Sequence, residues 1–354
     1  MWQLHDGLIR EGIESKVLLP KWQRLSDASA LFKISHQIAY LASIFLILIL
    51  APRRPRTVVT LDAPSGLHLV GQVASRQPWL RLTHILWVMD LYRFTEAGDS
   101  FSRLKKLQKY LDALAFKQGQ NIVVLGKCMA DFLGKSFSVE SSVIPIWQDP
   151  QQYGVCDVDR VRDLRQRLGL EGKLVVLYSG TARSMHPLQA LLEAATELQQ
   201  DNRIAFVIVG RGPEIERIRS EAKLEPHLNL TVLDYVSAND VPNVAELGDI
   251  HVVSLSEDAT GTCVPSKGYA AMAAGKPILY IGSPDGQLAV DIASSNSGVV
   301  VSGDAGSAIA EHLVEILHDD AHRISQGNNG KDFFRANRTS NNGTTSWMRY
   351  MASL

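Results

Sequence analysis

The chain has 354 residues, 45% of them apolar and 21% charged, with a formal net charge of −1. That composition excludes a disordered or low-complexity chain, and the length predicts two domains. Three cysteines, Cys128, Cys156 and Cys263, stand far apart without a CxxC pair, which argues against a disulfide framework and a zinc site and fits a reducing, cytoplasmic setting.

The near-neutral balance conceals an asymmetry. Residues 1–145 hold 18 Lys+Arg against 11 Asp+Glu, and the remainder 18 against 26. A basic first part favours an anionic surface such as a bilayer or a phosphorylated substrate, and a chance surface composition is the plain alternative. No nucleic-acid partner is indicated.

In chain order, MWQLHDGLIREG reads as a helix and SKVLLP (Ser15–Pro20) as the first strand. A doubly wound domain ordinarily opens on a strand and a glycine turn, so the sequence is expected to lack that first strand. Helices fit residues 28–50, 66–78 and 100–118. Strands fit TVVTLD (Thr57–Asp62), HILWVMD (His84–Asp90), NIVVLG (Asn121–Gly126) and SSVIPI. The most apolar stretch, Ile38–Pro52, is shorter than the ~20 residues that span a bilayer. Arg53, Arg54 and Arg56 follow it. It is either a helix buried under a sheet or one lying partly in a membrane interface with snorkelling arginines.

The junction VIPIWQDPQQYG (Val143–Gly154) carries two prolines and a glycine, which divides the chain into 1–145 and 146–330. Beyond it, LVVLYSG (Leu174–Gly180), AFVIVG (Ala205–Gly210), LTVLDYV (Leu230–Val236), IHVVSL (Ile250–Leu255), PILYIG (Pro277–Gly282) and GVVVS (Gly298–Ser302) are short, nearly continuous apolar runs, as strands buried on both faces require. Helical patterns alternate with them: HPLQALLEAATELQQ, GPEIERIRSEAK, VPNVAELG, PSKGYAAMAAG and GQLAVDIASSN. The fold class is therefore α/β, with doubly wound parallel sheets. Residues 331–354 are expected to be helical in part, broken at the polar NRTSNNGTT, with the apolar WMRYMASL packing back on the first domain.

Ligands of open α/β sheets bind beyond the carboxyl ends of strands, where helix N-termini point. Three such loops carry glycine, hydroxyl residues and cations. The first holds Gly180, Thr181, Arg183 and His186, and the second Arg211 and Gly212. The third runs through SEDATGTC, with Gly261 and Thr262, into Pro265, Ser266 and Lys267. Close backbone approach, N–H donors and positive charge are what a nucleoside diphosphate needs. A lysine on the first turn of a helix would add positive charge to the free N–H groups that face such a diphosphate. The GRG after Val209 does not complete a dinucleotide fingerprint, because position 215 is Ile. His186 has an ordinary structural reading. Asp157 and Asp159 spell a DxD, read as solvated surface beside the linker. Asp90 ends a strand, where a cleft or a capping role would place it.

Taken together, YSG with HPL and LLEAA, FVIVGRGP, DIHVVSL and VPSKGYAAMAAGKPIL resemble the retaining glycosyltransferases of family 4 (group 1), of the two-domain GT-B fold. LDAPSGLHLVG, WVMDLY, VVLGKCMADFL and VIPIWQD resemble the bacterial exopolysaccharide subgroup, similar to colanic-acid glycosyltransferases. The resemblance implies two Rossmann-like domains flanking a cleft. A UDP- or GDP-sugar donor would sit on the second, a polysaccharide or lipid-linked acceptor on the first, and transfer would need no metal or other cofactor. It implies catalytic roles for Lys267, Asp90 and His186, and donor contacts from Gly180, Thr181, Arg211, Gly212, Tyr235, Val236, Gly261, Thr262, Ser266 and Lys267. Peripheral contact with the inner membrane would follow from such an acceptor. Two departures stand out: the wider family's paired glutamates fall at Thr262 and Ala270, with Glu257 and Asp258 as substitutes from another position. A non-catalytic binding or assembly protein on the same fold, or a nucleotide-sugar epimerase, would share these features.

Overall fold

The computed structural model describes residues 1–18, 30–50, 55–62, 66–91, 94, 103–152, 156–224, 228–302 and 305–354. They form two compact units, one of residues 1–145 with 343–354 and one of residues 146–342.

In the first unit the order is α1 (Trp2–Arg10), α2 (Ala30–Leu50), β1 (Thr57–Leu61), α3 (Leu67–Ser75), β2 (Thr83–Trp87), α4 (Arg103–Gln118), β3 (Ile122–Val124), α5 (Lys127–Phe137) and β4 (Ser142–Val143). The four strands pair in parallel in the order β1-β2-β3-β4. One side of the long apolar helix α2 is buried: Ile44 and Leu48 pack with Ala74, Leu80 and Leu82. The opposite side is open, with Ile38 62%, Leu46 53% and Leu50 71% exposed. The expectation of a buried helix holds for the first side, and the second side is aliphatic and solvent-exposed. Among the described residues no helix is long and apolar enough to cross a membrane. Arg56 is exposed; Arg53 and Arg54 lie outside the described residues.

The expectation of a strand at SKVLLP fails over Ser15–Leu18, which carry no regular structure; Leu19 and Pro20 lie outside the described residues. A proline has no backbone N–H to give a sheet, which weakens a strand that would end at Pro20.

The second unit runs α6 (Val158–Arg167), β5 (Leu174–Thr181), α7 (Gln189–Glu197), β6 (Ile204–Arg211), α8 (Pro213–Leu224), β7 (Leu230–Asp234), α9 (Val241–Leu247), β8 (Ile250–Ser254), α10 (Ser266–Ala274), β9 (Ile278–Ile281), α11 (Gln287–Ser295), β10 (Gly298–Val301), α12 (Gly306–Leu317) and α13 (Asp320–Asn337). Its six parallel strands follow the order β10-β9-β8-β5-β6-β7. The strand order reverses between β5 and β8, which makes the carboxyl ends of those two strands the switch point where a ligand is expected.

The close of the chain is more helical than its composition suggests. The break in NRTSNNGTT is confined to Arg338 and Thr339, and α14 (Ser340–Ala352) begins at once. Its start is a reciprocal cap: the Thr339 N–H donates to Asn342 Oδ1 at 3.0 Å and the Asn342 N–H to Thr339 Oγ1 at 3.3 Å, which satisfies donors that the helix start leaves open. Further along, Trp347 is fully buried, its ring 4.9 Å from that of Trp87.

Strands β5 and β6 approach each other unusually closely at their ends. A Cβ on Gly210 would lie 1.9 Å from the Gly180 carbonyl oxygen. Gly210→Ala should therefore cost about 2 kcal/mol or more, read as a lower urea midpoint at unchanged m-value.

Candidate functional site

A cavity of about 190 Å³ opens at the switch point of the second unit. Ser179 and Gly180 line it from β5, Val252 and Val253 from β8, and Ser266, Lys267 and Ala270 from α10, while Tyr235 and Val236 follow β7. The walls are largely apolar, and the charged group among them is Lys267.

Lys267 stands on the first turn of α10, whose N-cap is Pro265 and whose N-terminus no side chain caps. Gly275 ends the helix in the left-handed conformation, φ 70°, as a glycine C-cap does. The lysine crosses the end of β5. Its Nζ donates to Tyr178 Oη at 2.6 Å and to the Thr181 carbonyl at 2.8 Å. Gly180 makes room, since a Cβ there would lie 2.6 Å from Lys267 Cε. Burial lowers the ammonium pKa to about 8, so it remains largely charged at neutral pH.

His186 lies in the loop after β5 and is half-buried. Its pKa falls to about 4 through burial first and the neighbouring charges of Lys267 and Arg183 second. The Arg183 N–H donates to His186 Nδ1 at 3.5 Å, which leaves the ring proton of the neutral imidazole on Nε2. Glu214, on the first turn of α8, accepts from the Leu188 N–H at 3.1 Å and so ties this loop to its neighbour. The Arg211 guanidinium lies 4.4 Å above the Tyr235 ring, a cation–π pair at the mouth of the β6 and β7 loops.

Helix α10 is secured on its other side. Tyr269, fully buried, donates its hydroxyl to Asp291 Oδ2 at 2.7 Å. The same carboxylate receives Arg338 Nη2 at 2.5 Å and, on its other oxygen, Gln287 Nε2 at 3.0 Å. Arg338 in turn accepts at its carbonyl from the Gln148 N–H at 2.9 Å. The Gln148 side-chain amide reaches the Ser266 carbonyl at 3.5 Å and lines the cavity.

Of the residues singled out from sequence, Gly180, Tyr235, Val236, Ser266 and Lys267 line one cavity. Thr181 contributes its carbonyl to Lys267. Thr262 does not line the cavity. It is fully buried, donates its hydroxyl to the Ala259 carbonyl at 2.7 Å and closes the turn of residues 257–259. Gly261 beside it is buried and does not line the cavity. The left-handed Gly212 (φ 117°) is required by packing, because a Cβ there would lie 2.2 Å from the Ala182 carbonyl oxygen. Glu257 and Asp258 are exposed and stand off the cavity, and no cavity-lining residue is acidic. Asp90 is half-buried in the first unit, just past β2. Asp157 caps α6 by accepting from the Arg160 N–H at 3.1 Å, and Asp159 pairs with Arg162 at 3.0 Å, in keeping with a solvated surface. Among the described residues no group of three His, Cys, Asp or Glu side chains is placed to hold a metal ion.

Sequence reasoning passed over Tyr178, Gln148 and His251. The aromatic Tyr178 amid the aliphatic LVVL run was the visible signal for the first. His251 was hidden in a strand; its Nε2 lies 2.8 Å from the Ala245 carbonyl and burial lowers its pKa to about 4.

Residues 161–333, which lie within the second unit, match the family model described as glycosyl transferases group 1. The two parallel sheets with flanking helices give the α/β fold of GT-B glycosyltransferase structures. Sucrose-phosphate synthase from Thermosynechococcus elongatus superposes with a TM-score of 0.76 over 99% of this chain and 91% of its own, at 15% identity. Anabaena HepE, solved with UDP and glucose, gives 0.71 over 98% and 88%, at 13% identity. In sequence, the chain is 28% identical over 151 residues to WcaI of Escherichia coli (strain K12), a protein named for colanic acid biosynthesis glycosyl transfer. It is 28% identical over 109 residues to the alpha-D-kanosaminyltransferase of Streptomyces kanamyceticus. These matches cover 42% and 30% of this chain, and 37% and 28% of those relatives.

The buried histidines set a pH dependence. With a folded pKa near 4 against the ordinary 6.5 for His251, the unfolded chain binds the extra proton between those values. Stability should therefore fall as pH drops from about 6.5 to about 4, by at most about 1.4 kcal/mol per pH unit for this residue. His84 in the first unit, lowered to about 4 by burial and then by His68, adds the same sign. Urea unfolding in pH steps reads the slope, which His251→Gln should flatten.

Proposed function

We propose that the chain is a glycosyltransferase that moves a sugar from a UDP- or GDP-sugar to a polysaccharide or lipid-linked acceptor, with retained configuration, as in family 4. The observation that carries this reading is Lys267: a charged ammonium on the first turn of an uncapped helix, beside an apolar cavity at the switch point of a doubly wound sheet. The apolar walls with Tyr235 and Val236 suit a nucleobase and ribose, and the end of β5 with the start of α10 suits the diphosphate. As the glycosidic bond breaks, charge grows on the outer phosphate, and a preorganised donor in a low-dielectric site stabilises it by about 3–4 kcal/mol. In this reading the chain's own cation and helix supply that stabilisation, and neutral His186 offers its Nε2–H to the donor. Asp90 would serve the acceptor side.

The absence of an acidic residue from the cavity wall favours a second reading, a binding or assembly protein of the same fold. Calorimetry with a panel of UDP- and GDP-sugars, followed by transfer assays, separates the two. Lys267→Ala should lower turnover about 10²–10³-fold in a chain that still folds by circular dichroism, and equal turnover would sink the assignment. Failure of every donor to bind would favour the assembly role, and turnover without acceptor an epimerase.

A lipid-linked acceptor would bring the enzyme to the cytoplasmic face of the inner membrane. The open aliphatic side of α2 and the basic balance of residues 1–145 support that contact. Vesicles containing anionic lipid should co-sediment the chain, and a Leu46→Gln, Leu50→Gln variant should stay in the supernatant; equal sedimentation of the two would count against the helix.

A further inference from the structure

Strand β5 is aliphatic up to Tyr178, and that side chain is fully buried among Val176, Phe206 and Ile208 of the core. Phenylalanine would fill the same space, so the hydroxyl is the informative group. It faces the end of the strand, where it receives Lys267 Nζ at 2.6 Å and lies 3.4 Å from the Thr181 carbonyl. The ammonium is 4.4 Å from the centroid of the same ring. The hydroxyl, the ring and the Thr181 carbonyl therefore grip one cation from within four consecutive residues, across the gap that Gly180 leaves. An ammonium has three N–H donors, and two are satisfied here.

We infer that Tyr178 is a positioning residue, whose hydroxyl holds the Lys267 ammonium charged and in place at the end of β5, with one donor left for the anionic group of a bound ligand. The identity of that ligand as a nucleoside diphosphate rests on the function proposed above; the hold on the lysine does not.

The charged and titratable neighbours are consistent with this role. His186 and Arg183 approach from the loop after β5, and Glu214 acts on Tyr178 from α8. Burial, with Glu214 second, raises the Tyr178 pKa well above the usual phenol value, so the group stays a neutral hydroxyl. Burial pulls Lys267 down to about 8. A hydroxyl accepting from the charged form opposes that pull, and its removal should let the pKa fall further.

The test is Tyr178→Phe in the full chain, read first without ligand. In an NMR titration of ¹⁵N-labelled lysine side chains, with Lys267 assigned from Lys267→Arg, the wild-type midpoint should lie near 8 and that of the variant about one pH unit lower. Calorimetry with UDP should then show about threefold weaker binding at pH 7.5, with a gap that widens from almost nothing at pH 6 to nearly tenfold at pH 9. An unchanged Lys267 midpoint, or an affinity loss of equal size at every pH, would mean that the hydroxyl only packs and would overturn the inference. Should wild type fail to bind UDP, the donor proposal falls, and the lysine titration still decides the role of Tyr178. If Tyr178→Phe does not fold, trifluorotyrosine incorporated at position 178 keeps the ring while weakening the oxygen as an acceptor. A smaller downward shift of the midpoint is expected there, and no shift in the folded protein would overturn the proposal.

Discussion

The cavity of the second unit depends on a buried carboxylate that it does not contain. Asp291 and Arg338 are each only 5% exposed, and their ion pair takes in the Tyr269 hydroxyl as well. Tyr269 is two residues from Lys267 on the same short helix, so the pair fixes the depth and rotation of α10 against the sheet. Through the Arg338 carbonyl it also fixes Gln148, which reaches the first turn of that helix. Charges removed from water in this way tolerate the loss of a partner poorly: an unpaired buried ion costs about 3–5 kcal/mol. The arrangement contributes orientation more than net stability, since an apolar replacement of similar volume is often as stable.

A second constraint is steric and works from the front. The ends of β5 and β6 meet at glycines, and the space left by the missing side chain of Gly180 is filled by the stem of Lys267. The lysine is thus threaded over the backbone and held by a carbonyl and a phenol. Position, burial and charge state of the ammonium are set together, which is the condition for an electrostatic group that has little reorganising to do when charge develops.

Much of this could be read in the sequence, for identifiable reasons. The parallel strands of the second unit are continuous apolar runs with glycine at their ends, and helices with polar faces separate them, so both period and punctuation agree. Lys267 was legible because Pro265, the alanines and Gly275 mark a helix whose first turn it occupies. The local bond of Thr262 was not legible, because position in a loop does not reveal which way a hydroxyl turns; only the fold shows it capping its own backbone. Tyr178 and Asp291 were illegible for another reason. Their roles are defined by partners 89 and 47 residues away, and no local pattern records such a pairing. The capped start of α14 was misjudged from polarity, although Thr339 and Asn342 carry the spacing of a reciprocal cap.

The place of Arg338 in the chain has a practical side. The family match ends at residue 333, after the last sheet strand and short of the arginine. A fragment cut at that apparent boundary would retain every residue that lines the cavity. It would nevertheless leave Asp291 as a solitary anion beneath α10, and the helix that carries Lys267 would lose its rear support. The counter-ion that Asp291 depends on thus lies five residues beyond the end of the family match.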